Sequence, residues 1–179
     1  MFEVTLLDSS TIGWYRKTWA DNQESLSKWF NSIPRDNTLV LLKDGSPVAS
    51  VRFSYSRSQN AFTELNTMTP SENRRKGYQK ILLKAFATVV SEIPELSHAK
   101  TCLVHVFPEN VDNMGFHSKT AEYVGPKNIR GVKMVEFKQD IDVWRNYDTP
   151  PFNIARCVKD RFLTRVMQFR IRNTCSGHF

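Results

Sequence analysis

The stretch Thr67–Ala85 limits what this chain can become more than any other. A strand-like run ends at Pro70, a short loop carries Arg74, Arg75 and Lys76 directly into Gly77, and an apolar helical pattern follows from Ile81. A strand, a tight loop and a helix in that order aim the backbone N–H groups of the helix's first turn, with their partial positive charge, at one point. An anion placed there gains hydrogen bonds and charge together. Gly77 lets the backbone approach such a ligand closely, and three adjacent cations stand where they meet a polyanion. The plainer reading is a basic helix start with one turn glycine.

The rest of the chain alternates strands and helices. Phe2–Leu7 reads as a strand, and Ser9 or Ser10 as the cap of a helix to about Ala20, with Trp14, Tyr15 and Trp19 on one face. A second helix is expected over Gln23–Asn31. Thr38–Lys43 and Pro47–Tyr55 flank Asp44-Gly45, a strong hairpin signal, and Ala61–Thr69 adds a third strand leading into the basic loop. After the helix carrying Ile81, Leu82, Phe86, Val89 and Val90, Thr101–Phe107 reads as a central strand. A short helix from Asn113 to Thr120 and strands at Ala121–Val124 and Val132–Ile141 complete one α/β domain over residues 1–141.

Composition narrows the classes. The chain has 179 residues, 40% hydrophobic and 24% charged, which suits one globular domain with a sizeable core. No apolar run is long enough to span a membrane, and the N-terminus reads as a strand, not a signal peptide. Cys102, Cys157 and Cys175 lack C-x-x-C spacing, which argues against a disulfide framework or a metal site and for the cytoplasm. The net charge of +7 favours an anionic ligand but lies mostly in residues 151–179.

In order and spacing these segments resemble the GNAT superfamily of acyl-CoA N-acyltransferases. The family's loop, Arg/Gln-x-x-Gly-x-Gly/Ala, is matched by Arg74, Arg75, Lys76, Gly77, Tyr78 and Gln79, with Gln79 standing where a small residue is usual. A second match follows the next strand: Asn110 comes after Val106, and Phe116 and His117 stand at the offsets of the family's aromatic residue and tyrosine. The resemblance covers roughly residues 38–140. It implies a mixed, mostly antiparallel sheet with one parallel, splayed pair of strands and flanking helices. It also implies acetyl-CoA as acyl donor and no metal. The pyrophosphate would be held by Arg74 through Gln79 with Lys80, the pantetheine arm by the backbone at Met68 and Thr69, and Asn110 and Phe116 complete the binding set.

Acyl transfer from a thioester needs a deprotonated amine and a thiolate that can be protonated. The resemblance puts His117 in the proton-donor position, where a histidine would titrate near neutrality; a packing histidine is the other reading. His105, among buried valines, reads as structural. Glu64 is where some relatives place a catalytic carboxylate. Simple alternation puts it on the face of Phe62, Asn66 and Met68, a strand bulge would reset that face, and an ordinary solvated glutamate is the alternative.

Residues 142–179 fall outside the resemblance. Trp144 through Pro151 reads as a connector, and 153–172 as a basic amphipathic helix, with Ile154, Val158, Phe162, Val166 and Phe169 on one side. Arg156, Lys159, Arg161, Arg165, Arg170 and Arg172 occupy much of the rest. Such a helix packs on the domain or on a second copy, giving a homodimer, or else contacts nucleic acid. Three readings of function therefore stand: an acetyl-CoA-dependent N-acetyltransferase acting on an amine of a small molecule or protein; the same chemistry, or binding alone, directed to nucleic acid or a nucleic-acid-bound partner by the basic tail; and a non-catalytic module of this shape. Acceptor choice would rest on the loops near residues 20–36 and 125–131.

Overall fold

The Asp44-Gly45 pair decides the first hairpin. Both residues take positive φ, 50° and 80°, the backbone twist that a two-residue turn between right-twisted strands requires. In the computed structural model, which describes residues 1–22, 37–96, 98–129 and 131–162, this turn joins β2 (Thr38–Lys43) to β3 (Ser46–Ser56). A second turn leads to β4 (Ala61–Met68). The chain continues through α2 (Tyr78–Ser91), β5 (Thr101–Val106), α3 (Val111–His117), β6 (Glu122–Ile129), β7 (Val132–Asp140), α4 (Ile141–Arg145) and β8 (Phe152–Ile154). Before them come β1 (Phe2–Leu6) and α1 (Ile12–Asn22). The helix expected over Gln23–Asn31 lies outside the described residues.

The strands form one eight-stranded sheet in the order β6-β7-β5-β4-β3-β2-β1-β8. β4 and β5 run parallel, as do β1 and β8, and every other neighbouring pair is antiparallel. Alternation assigns the faces. Leu39, Leu41, Val51, Phe53, Cys102, Val104 and Val106 pack toward α2, whereas Val40 and Met68 join Leu7 and Tyr15 on the α1 side. Thr38, Ser50 and Arg52 are also buried away from the α2 core, and burial lowers the Arg52 pKa despite the nearby Tyr15.

α2 is apolar nearly all round because it is enclosed on both sides. Phe86 is its hub: the ring stacks on Phe53 at 3.7 Å and meets Phe62, Trp144 and Phe162 edge-on. Two of those partners come from the chain after residue 141. The expected connector instead contains α4, whose Trp144 is fully buried. The basic helix expected from residue 153 is a strand at its start, since Phe152–Ile154 pairs with Phe2–Val4. A helical turn at Val158–Phe162 then buries Val158 and Phe162 in the core. Arg165, Arg170 and Arg172 lie outside the described residues.

Other boundaries moved for local reasons. The first helix is capped by Asp8, not Ser9 or Ser10: its carboxylate accepts from the N–H groups of Ser10 and Thr11 at 2.9 and 3.2 Å. The Ser10 hydroxyl, donating to the same carboxylate at 2.6 Å, holds the Asp8 pKa below its ordinary value against the effect of burial, and the two N–H bonds add to it. α3 starts two residues earlier than expected, because the Asn110 side chain accepts from Asn113 N–H at 3.2 Å and sets the helix start. The segment 125–131, expected as a loop, is mostly strand; Pro126 is tolerated because β6 is at the sheet edge.

Candidate active site

Parallel strands β4 and β5 pair only from Ala61/Thr101 to Glu64/Val104. Beyond that rung β4 continues against β3 to Met68, and β5 against β7 to Val106. The two strands therefore part, leaving a fork whose backbone groups face each other without pairing. A bulge drives the parting: Arg52 pairs with Asn66 but Phe53 with Glu64, so Leu65 is extra in β4. The alternation expected from Phe62 through Met68 breaks there. Phe62 ends in the α2-side core and Met68 in the α1-side cluster.

The open arm of the fork leads to the first turn of α2. Gly77 is the residue before that turn, with φ 77°, and a Cβ there would meet nothing within 4 Å. No side chain caps this helix start, so the amide-rich end is free to take a ligand. Arg75 also has positive φ, 60°, a conformation a non-glycine residue adopts reluctantly. It points its guanidinium at Asp112 on α3, 3.3 Å away, across the cleft mouth. Arg74 Nε donates to the Thr69 carbonyl at 3.3 Å, which ties the loop to the end of β4.

The cleft holds about 810 Å³, and its walls bring together every residue expected to bind a cofactor: Met68, Thr69, Arg74, Arg75, Lys76, Gly77, Tyr78, Gln79, Lys80, Asn110 and Phe116. Four cations line it against two carboxylates, Asp112 and Asp148. Lys80 stands over the Tyr147 ring, 5.6 Å from its centre. Gln79, the departure from the small-residue pattern, is half-buried, and its Nε2 finds no hydrogen-bond partner among the described residues. A buried amide donor left unpaired is costly, so a ligand oxygen beside it would be stabilised.

His117 does not belong to this cleft. It is 1% exposed, with the Phe116 and Phe137 ring centres 5.0 and 6.0 Å away. Desolvation pushes its pKa down to about 4, and its Nδ1 has no partner among the described residues. The expected near-neutral titration fails because the ring is enclosed by apolar groups, and a neutral imidazole is too weak an acid to protonate a thiolate. Its carbonyl accepts from Thr120 and Ala121, which makes it a packing and turn residue.

Glu64 sits in the last rung before the fork, where the backbone places it opposite Val104 and Phe53. His105, read from the sequence as structural, is the next residue of β5 past that rung. Its Nε2 meets Glu136 Oε2 at 2.8 Å, and Lys127 approaches the same carboxylate at 3.4 Å. Burial alone would raise the Glu136 pKa, but the bond and charge of His105, with Lys127, outweigh it and hold the carboxyl below its ordinary value. Glu136 stands thirty-one residues away, so no local spacing signals the pair. Of the tail cations, Lys159 pairs with Glu92 at 2.9 Å and Arg156 with Asp160 at 3.5 Å, while Arg161 is exposed.

No family model matches the sequence, and no curated protein matches it. Solved structures match the fold. A structure of yncA from Salmonella typhimurium with its cofactor acetyl-CoA superposes at a TM-score of 0.58 and 12% identity, covering 84% of this chain and 98% of that one. A ribosomal-protein-S5-alanine acetyltransferase from Vibrio fischeri gives 0.56 at 12% identity, over 79% and 93%. The spermidine N-acetyltransferase SpeG of Vibrio cholerae, in a mutant form, gives 0.57 at 12% identity, over 81% and 96%. The chain has the GNAT acyl-CoA N-acyltransferase fold.

Proposed function

We propose that this protein is an N-acetyltransferase that takes its acyl group from acetyl-CoA and passes it directly to an amine. The observation that carries this reading is the alignment of two openings, the fork between β4 and β5 and the uncapped first turn of α2, on one cleft. In this reading the N–H groups of the turn and Arg74, Arg75 and Lys76 hold the pyrophosphate. Met68 and Thr69 offer backbone partners to the pantetheine arm, and Phe116 packs against it. Asn110 keeps α3 in place through its cap, with its amide nitrogen left for the ligand. The donor supplies an activated thioester. The chain's own work is to hold it at the fork, exclude water and present unpaired main-chain N–H groups to the carbonyl oxygen as charge develops there.

Bound acetyl-CoA in one structural neighbour supports the donor. The acceptor stays at the level of an amine, since neighbours of equal likeness are named for a protein amine and for a polyamine. The test is incubation with acetyl-CoA and a panel of peptide α-amines, polyamines and aminoglycosides, read by mass spectrometry of the amine and by release of free thiol. An acetylated amine with matching thiol release supports the reading. Tight acetyl-CoA binding with no acceptor modified by any class would replace it with a binding module, and no acetyl-CoA binding would remove both.

A further inference from the structure

The apex of the fork carries a second constellation, on the side of the sheet away from α2. His105 is the first β5 residue beyond the last β4 rung. Its neighbours Val104 and Val106 pack toward α2, so its own side chain belongs to the opposite face, which is also the face of the cleft-lining Met68. His105 does not line the cleft itself; it borders the fork, through which a ligand held in the cleft would reach that face.

The ring is held for use. Nε2 is taken by Glu136, directly across the β5–β7 ladder, with side-chain exposures of 15% for the histidine and 8% for the glutamate. Nδ1 meets no hydrogen-bond partner among the described residues, and it is not among the buried polar atoms left unsatisfied. An imidazole bonded to a carboxylate through one nitrogen presents the other as a proton acceptor, and the carboxylate offsets the charge that then develops. On the strands flanking β5 the charged residues are Glu64 on β4 and Lys133, Glu136, Lys138 and Asp140 on β7, and Glu122 and Lys127 stand on β6 beyond them, Lys127 reaching Glu136.

We infer that His105, oriented by Glu136, is the base that removes a proton from the acceptor ammonium at the fork. This rests on the acetyltransferase reading. The step balances without a further reagent. The ammonium gives one proton to Nδ1, and the freed amine forms the C–N bond as the C–S bond breaks. The second amine proton passes to the departing thiolate, and the His105 proton returns to water. Glu136 is a positioning residue, and Lys127 limits how far its carboxylate can be neutralised.

The test compares two nucleophiles under saturating acetyl-CoA: propylamine, almost wholly ammonium at neutral pH, and hydroxylamine, which is largely neutral there and needs no base. His105→Gln is expected to lose about a hundredfold in kcat/KM toward propylamine at neutral pH, recovering as the pH rises, and less than about threefold toward hydroxylamine. Glu136→Gln should show a smaller loss of the same selectivity, which Glu136→Asp partly restores. Calorimetric binding of acetyl-CoA separates the two levels of the account, since wild-type protein that binds none fails the acetyltransferase reading itself. Binding intact with equal losses toward both nucleophiles, or no loss toward propylamine, overturns the role of His105. His105→Asn repeats the comparison should the glutamine variant fold poorly.

Discussion

Two histidines, His105 at the end of β5 and His117 at the end of α3, occupy opposite chemical situations. One leans on a carboxylate beside the fork; the other is closed in by aromatic rings, which push its pKa down to about 4. The family resemblance put His117 forward as the proton donor, beside the reading of a packing histidine. Surroundings favour His105, because proton transfer needs a ring that can reach a substrate and survive being charged.

The largest effect that separates them is on stability. The pKa of His117 is near 6.5 unfolded and about 4 folded, so between those values the unfolded chain binds more protons than the native one. Stability should therefore be complete above pH 6.5 and fall by up to about 3 kcal/mol as the pH drops to about 4. Denaturant melts across this range check it, and His117→Leu should remove that component. A His117→Leu protein whose acid sensitivity matches wild type would show that the ring is not enclosed as described. At neutral pH the same variant should keep acetyl transfer within about threefold and gain up to about 1 kcal/mol, since an unpaired buried polar atom is replaced by an apolar one. A hundredfold drop in turnover would return His117 to the mechanism.

Smaller effects sharpen the picture at the cleft mouth. Arg75→Glu puts a carboxylate where phosphate should lie and is expected to weaken acetyl-CoA about tenfold, with little change in melting temperature, because the side chain is exposed. Asp112→Asn frees Arg75 and removes one negative charge from the mouth; it should tighten acetyl-CoA by about two- to threefold, a change worth about 0.5 kcal/mol. Calorimetry reads both, and an unchanged dissociation constant in Arg75→Glu would move the phosphates elsewhere.

What the sequence disclosed follows from how local each cause is. The Asp44-Gly45 turn, the strands beside it and the basic loop into α2 are set by neighbours in the chain, and the eleven residues that share one cleft come from one short loop, the strand before it and a nearby helix. What stayed hidden depends on partners far away. Phe152–Ile154 is a strand only because β1 offers an edge, Trp144 is core only because Phe53 and Phe86 meet it, and His105 gains a carboxylate only through the register of β5 on β7. His117 shows the converse. Its position fitted a motif, but its burial depends on Phe137, a strand away.

The account stands on the phosphates of acetyl-CoA settling at the first turn of α2, and thermal unfolding with matched ligands tests this most directly. A ligand that binds only the folded protein must raise its melting temperature in proportion to affinity. Acetyl-CoA is expected to raise it by several degrees, S-acetylpantetheine, which lacks the pyrophosphate, by much less, and the Arg75→Glu protein should lose most of the difference. Equal shifts from the two ligands, or none from acetyl-CoA, would contradict it.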